Sequence, residues 1–320
     1  MASKDPLVSI ICAVRNDVRF IRETLESVVS QTYPNLELII MDGVSTDNTL
    51  EIIKEYAAKY KNIIFRSQPD KGQWDALEKA LALAKGEYIS MLCGQDGYLD
   101  KDWFKKCIEV FGGHPEVSLV WGIPLNMSEE GKLLGPGYAF AEFLKDKHYG
   151  TQTKTVSTFA AKIDWRRPGA WDRFKRFARK LTPSRAKIVF RSLRKREIPQ
   201  KEDWFFYWLR TGRAFPEGNM CVRREAYMRN TPRFPQETMT PRAIFDFCFD
   251  FNVNGYLAYG LPVAASFGRL HAGSQRILED DDMFAKDYNV KTADFREKMK
   301  AQKTVRFVNP AGEVVSERAL

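Results

Sequence analysis

The chain has 320 residues, 44% of them apolar, which is enough to fill a sizeable core, and it contains no run of 18 or more apolar residues that would cross a bilayer as a helix. Its net charge of +9 is uneven: residues 151–213 hold eighteen Lys and Arg against five Asp and Glu, and the rest of the chain is slightly acidic. Five scattered cysteines without a CxxC pair argue against a disulfide framework or zinc site, and the polar N-terminus lacks a signal peptide's apolar stretch, so a cytoplasmic protein is expected.

Leu7 to Val14 is an apolar run without polar breaks, as in a strand buried on both faces. A helical pattern follows from Val18 to Gln31, with Ile21, Leu25, Val28 and Val29 on one face. Tyr33-Pro34-Asn35 is a turn signal, and Leu36 to Met41 reads as a second strand. Thr46-Asp47-Asn48 supplies capping side chains for a helix to about Tyr60. Asn62–Arg66, Tyr88–Leu92 and Val117–Trp121 read as strands, and Gly72–Ala84 and Asp100–Phe111 as helices. This alternation predicts βαβ units: an α/β fold with a Rossmann-like parallel sheet and helices on both faces. Ligands of such sheets bind outside the carboxyl ends of the strands. The loops there carry Arg15-Asn16-Asp17, Asp42 to Asp47, Gln68 to Gly72, and Cys93 to Gly97.

From Lys132 to Arg213 the alternation breaks. Trp171, Phe174, Ala178 and Leu181 fall at helical spacing among Arg and Lys, and Trp204 to Leu209 is a dense aromatic run. Ala243–Val253 reads as a helix, Val263–Phe267 as a strand, and the last forty residues as a polar tail with some helix. The expected organisation is a first α/β half over 1–131, a basic helical insert over 132–213, a second half of the α/β unit over 214–285 and a tail over 286–320.

Val8-Ser-Ile-Ile with Arg15-Asn16, Ser27 to Asn35, Met41 to Thr49, Pro69 to Asp75 and Ala84 to Ile89 come in one order and spacing over about 100 residues. In these segments the chain resembles the family-2 glycosyltransferases, which have the GT-A fold. The resemblance implies an inverting enzyme that passes a sugar from a nucleoside-diphosphate donor to an acceptor hydroxyl. UDP is the favoured donor nucleotide, and the acceptor is a glycan or lipid-linked sugar of the cell surface. It further implies donor contacts at Val14, Arg15, Asp42, Asp70, Lys71, Gln95 and Asp96. A carboxylate at Asp42 or Asp70 can accept from a base or ribose donor, or can serve an Asx-turn in the loop.

The family's paired acidic metal motif aligns with Gln95-Asp96, a departure at its first position. A divalent cation, Mn²⁺ or Mg²⁺, is still expected, held by Asp96 and His271 with diphosphate oxygens and water. Asp246 aligns with the catalytic base, with Asp250 one turn on; Asn219 and Arg223 align with the acceptor side. Gln95 and Gly97 also leave open a non-catalytic protein that binds nucleotide sugars. The basic aromatic segment 151–213 reads as an amphipathic surface for anionic lipid, which would place the protein peripherally on the inner membrane face, or as a helical subdomain packed on the core; nucleic-acid binding is not expected.

Overall fold

The computed structural model describes residues 5–136, 198–212, 220–230, 242–271 and 281–320. Strands β1 (Val8–Val14), β2 (Leu36–Asp42), β3 (Ile63–Ser67) and β4 (Tyr88–Cys93) lie parallel in the order β3-β2-β1-β4. Every residue of β1 and β2 is buried, because alternate side chains enter two different cores. Ile11, Ala13, Ile39 and Met41 meet Ala76, Leu77, Ala80 and Leu81 of helix α3 (Gln73–Leu83). Ile10, Cys12, Leu38 and Ile40 meet α1 (Ile21–Val29), α2 (Thr49–Lys59) and α4 (Trp103–Gly113) on the other face. In α1 the buried residues are Ile21, Thr24, Leu25 and Val28, one stripe at helical spacing.

Beyond β4 the sheet is mixed, so the all-parallel expectation holds only for its first four strands. β8 (Cys221–Arg223) lies antiparallel between β4 and β6 (Val117–Ser128). The chain reaches β8 beside Ser90, whose hydroxyl donates to the Met220 carbonyl (2.8 Å), and leaves it where the Arg224 N–H meets the Glu87 carbonyl (2.8 Å). That direction opposes β4. β9 (Leu257–Leu270) runs parallel to β6, and hence to β4. β5 (Gly97–Tyr98) pairs antiparallel with β9, and β7 (Leu133–Pro136) with β6.

Four more helices follow: α5 (Glu202–Thr211), α6 (Arg224–Asn230), α7 (Arg242–Val253) and α8 (Asp281–Lys300). In α5, Trp204, Phe205 and Trp208 are buried, each worth roughly 1.5–3 kcal/mol relative to exposure. Their indole donors are satisfied, Trp204 by Asn252 Oδ1 (3.1 Å) and Trp208 by the Tyr288 hydroxyl (2.7 Å). Residues 198–212 therefore pack on the core, while residues 151–197 of the basic segment lie outside the described residues. The helix expected in the polar tail is α8, and a hairpin of β10 (Thr304–Val308) and β11 (Val314–Ala319) follows it. Phe307 of that hairpin is fully buried and meets Phe205 edge-on, with ring centroids 5.4 Å apart. Among the described residues no helix is long and apolar enough to cross a membrane.

Candidate functional site

The carboxyl ends of β1, β2 and β4 are tied to one another by their loops. The Gly43 N–H donates to the Val14 carbonyl (2.9 Å), Gly94 N–H to Ala13 (3.2 Å) and Gln68 N–H to Asp42 (3.0 Å). A Cβ at Gly43 would collide with the Asp70 carboxylate and lie 3.3 Å from Arg15 Cδ, so Arg15, Gly43 and Asp70 adjoin. A Cβ at Gly94 would lie 2.5 Å from Asp17 Oδ2 and 2.6 Å from Val14 Cγ2. A side chain at Gly43 would displace the Asp70 carboxylate, and one at Gly94 would press into Val14.

Asp42 is buried, and its carboxylate accepts from the Ser45 N–H (3.1 Å), the Ser67 hydroxyl (2.6 Å) and the Ser45 hydroxyl. A carboxylate has about four lone-pair sites. Asp42 therefore closes its own loop and keeps capacity for one further donor. Val44, next to it, is a β-branched residue at φ 56° and stands exposed. Its strained backbone is fixed by the surrounding bonds: Asn16 N–H to Ser45 Oγ (2.9 Å) and Thr46 N–H to Asn16 Oδ1 (2.8 Å). Asp70 accepts from the Gly72 N–H (2.9 Å) at the start of α3, and exposed Lys71 donates its N–H to Asp75 (2.9 Å).

Asp96 and His271 come together. The Arg269 N–H donates to Asp96 Oδ1 (3.1 Å), and two residues on, His271 Nε2 contacts the Gln95 amide oxygen. The His271 ring packs on Phe20 (centroids 5.1 Å apart), and burial holds its basicity below the usual histidine range. Among the described residues no three His, Cys, Asp or Glu side chains converge into a metal cage. One carboxylate and one imidazole suit a hard divalent cation when diphosphate oxygens and water complete its shell.

Asp17 was not singled out by its sequence position. Its N–H donates to Thr49 Oγ1 (2.8 Å), and its carboxyl lies against Gly94. Burial pushes that carboxyl up to about 7; the Arg15 N–H opposes the rise, and the charges of Asp96 and Asp47 add to it. Burial is not legible in an Arg-Asn-Asp loop, which reads as solvated.

Asp246 lies on α7, ion-paired to Lys291 of α8 at 2.5 Å. Asp250, one turn on, is raised by burial and then by Asp246, with Lys291 opposing. Phe251 packs on Tyr256 beside the start of β9, and Phe247 packs on Tyr227, whose hydroxyl reaches Met91 Sδ in β4 (3.7 Å). The helix thus runs toward the start of β9, with Asp246 in its first half.

Arg223 does not belong to this site. It pairs with Tyr88 at the opposite end of β4. Its guanidinium donates to the Val117 carbonyl (2.9 Å), the Tyr88 hydroxyl (2.9 Å) and the Phe111 carbonyl (3.0 Å), and it stacks on Phe111 at 4.9 Å. These bonds consume the side chain in packing, so the acceptor role expected for it is withdrawn. Asn219 lies outside the described residues.

The profile described as Glycosyl transferase family 2 matches residues 9–167. Chondroitin synthase of Escherichia coli is 34% identical over 142 residues, 44% of this chain and 21% of that protein, so the match spans about a fifth of that relative's length. The crystal structure of S. aureus TarS 1–349 with UDP-GlcNAc superposes with a TM-score of 0.55 over 89% of this chain and 66% of that one, at 16% identity. The mannosyltransferase PcManGT of Pyrobaculum calidifontis, in complex with GDP-Man and Mn²⁺, gives 0.51 over 94% and 66%, at 14% identity. Through residues 9–167 the chain belongs to glycosyl transferase family 2, and its sheet has the GT-A fold.

Proposed function

We propose that the protein is an inverting glycosyltransferase that moves a sugar from a nucleoside diphosphate, UDP being favoured, to a hydroxyl of a glycan or lipid-linked acceptor in polysaccharide assembly. The observation that carries this reading is the carboxyl edge. Three carboxylates, Asp42, Asp70 and Asp96, stand at or just past the ends of successive parallel strands, around the close approaches at Gly43 and Gly94. The names of the relatives support the class of product, and the nucleotide sugars bound by the structural neighbours support the class of donor.

In this reading Asp42 spends its remaining lone pair on the donor's base or ribose, beside Asp70. Val14 and Arg15 line the same mouth, and Lys71 meets a phosphate. A divalent cation, Mn²⁺ or Mg²⁺, held by Asp96 and His271 would offset charge on the leaving diphosphate. For His271 to serve through Nε2, Gln95 must release it. Asp246 accepts the proton of the acceptor hydroxyl as its oxygen attacks the anomeric carbon. The bond to the diphosphate breaks on the opposite face, and the configuration inverts. The remainder of the basic segment, residues 151–197, gives the enzyme a surface for anionic lipid at the cytoplasmic face of the membrane.

Calorimetry with UDP, GDP and dTDP, each in Mn²⁺, Mg²⁺ or EDTA, tests the reading. Binding of one nucleotide that is lost in EDTA is the expected result. Binding that survives EDTA removes the cation from the proposal. No binding to any nucleotide refutes it.

A further inference from the structure

Arg269 is one of the largest fully buried side chains of the described residues, only 2% exposed, yet it carries a permanent charge. A buried guanidinium is tolerated only where hydrogen bonds and opposite charge replace its water. Here it donates to the carbonyls of Ser128 (3.0 Å) and Glu129 (3.3 Å) in the turn between β6 and β7, and it pairs with Glu23 of α1. Its plane lies 4.8 Å from the Phe20 centroid and 5.5 Å from that of Phe267. Phe20 is also the ring on which His271 packs, and the backbone N–H of Arg269 is the donor to Asp96. One residue therefore binds α1, the β6–β7 turn and the end of β9 together at the point where both Asp96 and His271 are set.

We propose that Arg269 is a positioning residue for the diphosphate-facing pair Asp96 and His271, acting through its own backbone and through Phe20. The proposal rests on the donor-site reading above. Its mechanism is geometric. β9 ends at Leu270, where pairing with Ser128 ties it to β6 but not to α1; without the guanidinium clamp the strand end loses its tie to α1 and Phe20, and the Asp96 donor and the His271 ring shift together against that helix. A lysine retains charge but cannot span two carbonyls and a carboxylate from one planar fork.

The test separates positioning from loss of fold. Uridine and UDP are titrated, with Mn²⁺ present, into wild type, Arg269→Lys and Glu23→Gln. The ratio of the two Kd values reports the diphosphate contribution alone. In Arg269→Lys this ratio falls about tenfold, equivalent to about 1.4 kcal/mol, while the uridine Kd stays within twofold; Glu23→Gln shifts the ratio the same way by less. An unchanged ratio, or equal weakening of both ligands, overturns the proposal. A second readout needs no nucleotide. The chain has three histidines, so the His271 ring signals are identified by comparison with His271→Gln. Lying against Phe20, they are displaced by its ring current and should move in Arg269→Lys. Unmoved signals overturn the proposal. If wild type binds neither ligand, the donor-site reading fails, and the role of Arg269 stands or falls on the His271 signals.

Discussion

Replacing Asp17 by Asn turns the half-buried carboxyl at the sheet's carboxyl edge into a probe of its own charge cost. In the folded protein its pKa is pushed up from 3.8 to about 7, with burial the leading cause. Between these values the folded state holds a proton that the unfolded chain has lost. Unfolding then releases a proton, and stability falls as pH rises, by about 1.4 kcal/mol per pH unit. Over roughly three units the loss reaches about 4 kcal/mol. It is complete only above pH 7 and absent below pH 4. An asparagine mimics the protonated form and can still accept the Arg15 N–H, so Asp17→Asn should match wild type near pH 4. It should gain steadily from there, becoming more stable by about 4 kcal/mol at pH 8.5. Urea unfolding of both proteins in EDTA from pH 4 to 8.5 measures the difference, in which titrating groups remote from Asp17 cancel. A difference that stays flat across this range would falsify the assignment of a proton-holding Asp17.

Asp246→Asn should retain nucleotide affinity and lose about 10²–10⁴-fold in transfer rate; product formation near the wild-type rate removes it as the base. Val44→Gly relieves the positive φ of a β-branched residue and should raise stability by about 1 kcal/mol in urea unfolding; a loss of that size would mean the loop is not strained there. Arg223→Met strands the Val117 and Phe111 carbonyls and should cost about 3 kcal/mol. It should leave the nucleotide Kd unchanged, and a tenfold weaker Kd in the folded variant would return Arg223 to the ligand site.

The first half of the fold was legible because its strands are buried on both faces. Runs such as Val8–Val14 and Leu36–Asp42 carry that burial as uninterrupted apolar sequence. β5 and β8, of two and three residues, are too short for any period to register. β9 was read over only five of its fourteen residues, since half-buried positions and Gly260-Leu261-Pro262 obscure its middle. The C-terminal hairpin escaped because Val314 and Val315 face solvent while only Val305 and Phe307 turn inward. At the site, the loops and their order were legible, but side-chain direction was not. Arg223 sits in a motif that points toward the ligand edge by sequence and faces the other edge in space. Arg269 and Asp17 draw their importance from burial, and no spacing announces that.

The two ends of the stretch between Pro136 and Ile198 land on the same strip of sheet. Pro136 pairs with Leu125 of β6, and Ile198 presses on Gly260 of β9, itself the partner of Trp121 in β6. The frame thus closes behind this stretch before α5 begins. Both points of attachment are fixed by pairing within β6 and β9 themselves, so the register of these two strands, and with it the height at which Arg269 meets Asp96, does not depend on the residues that connect Pro136 to Ile198.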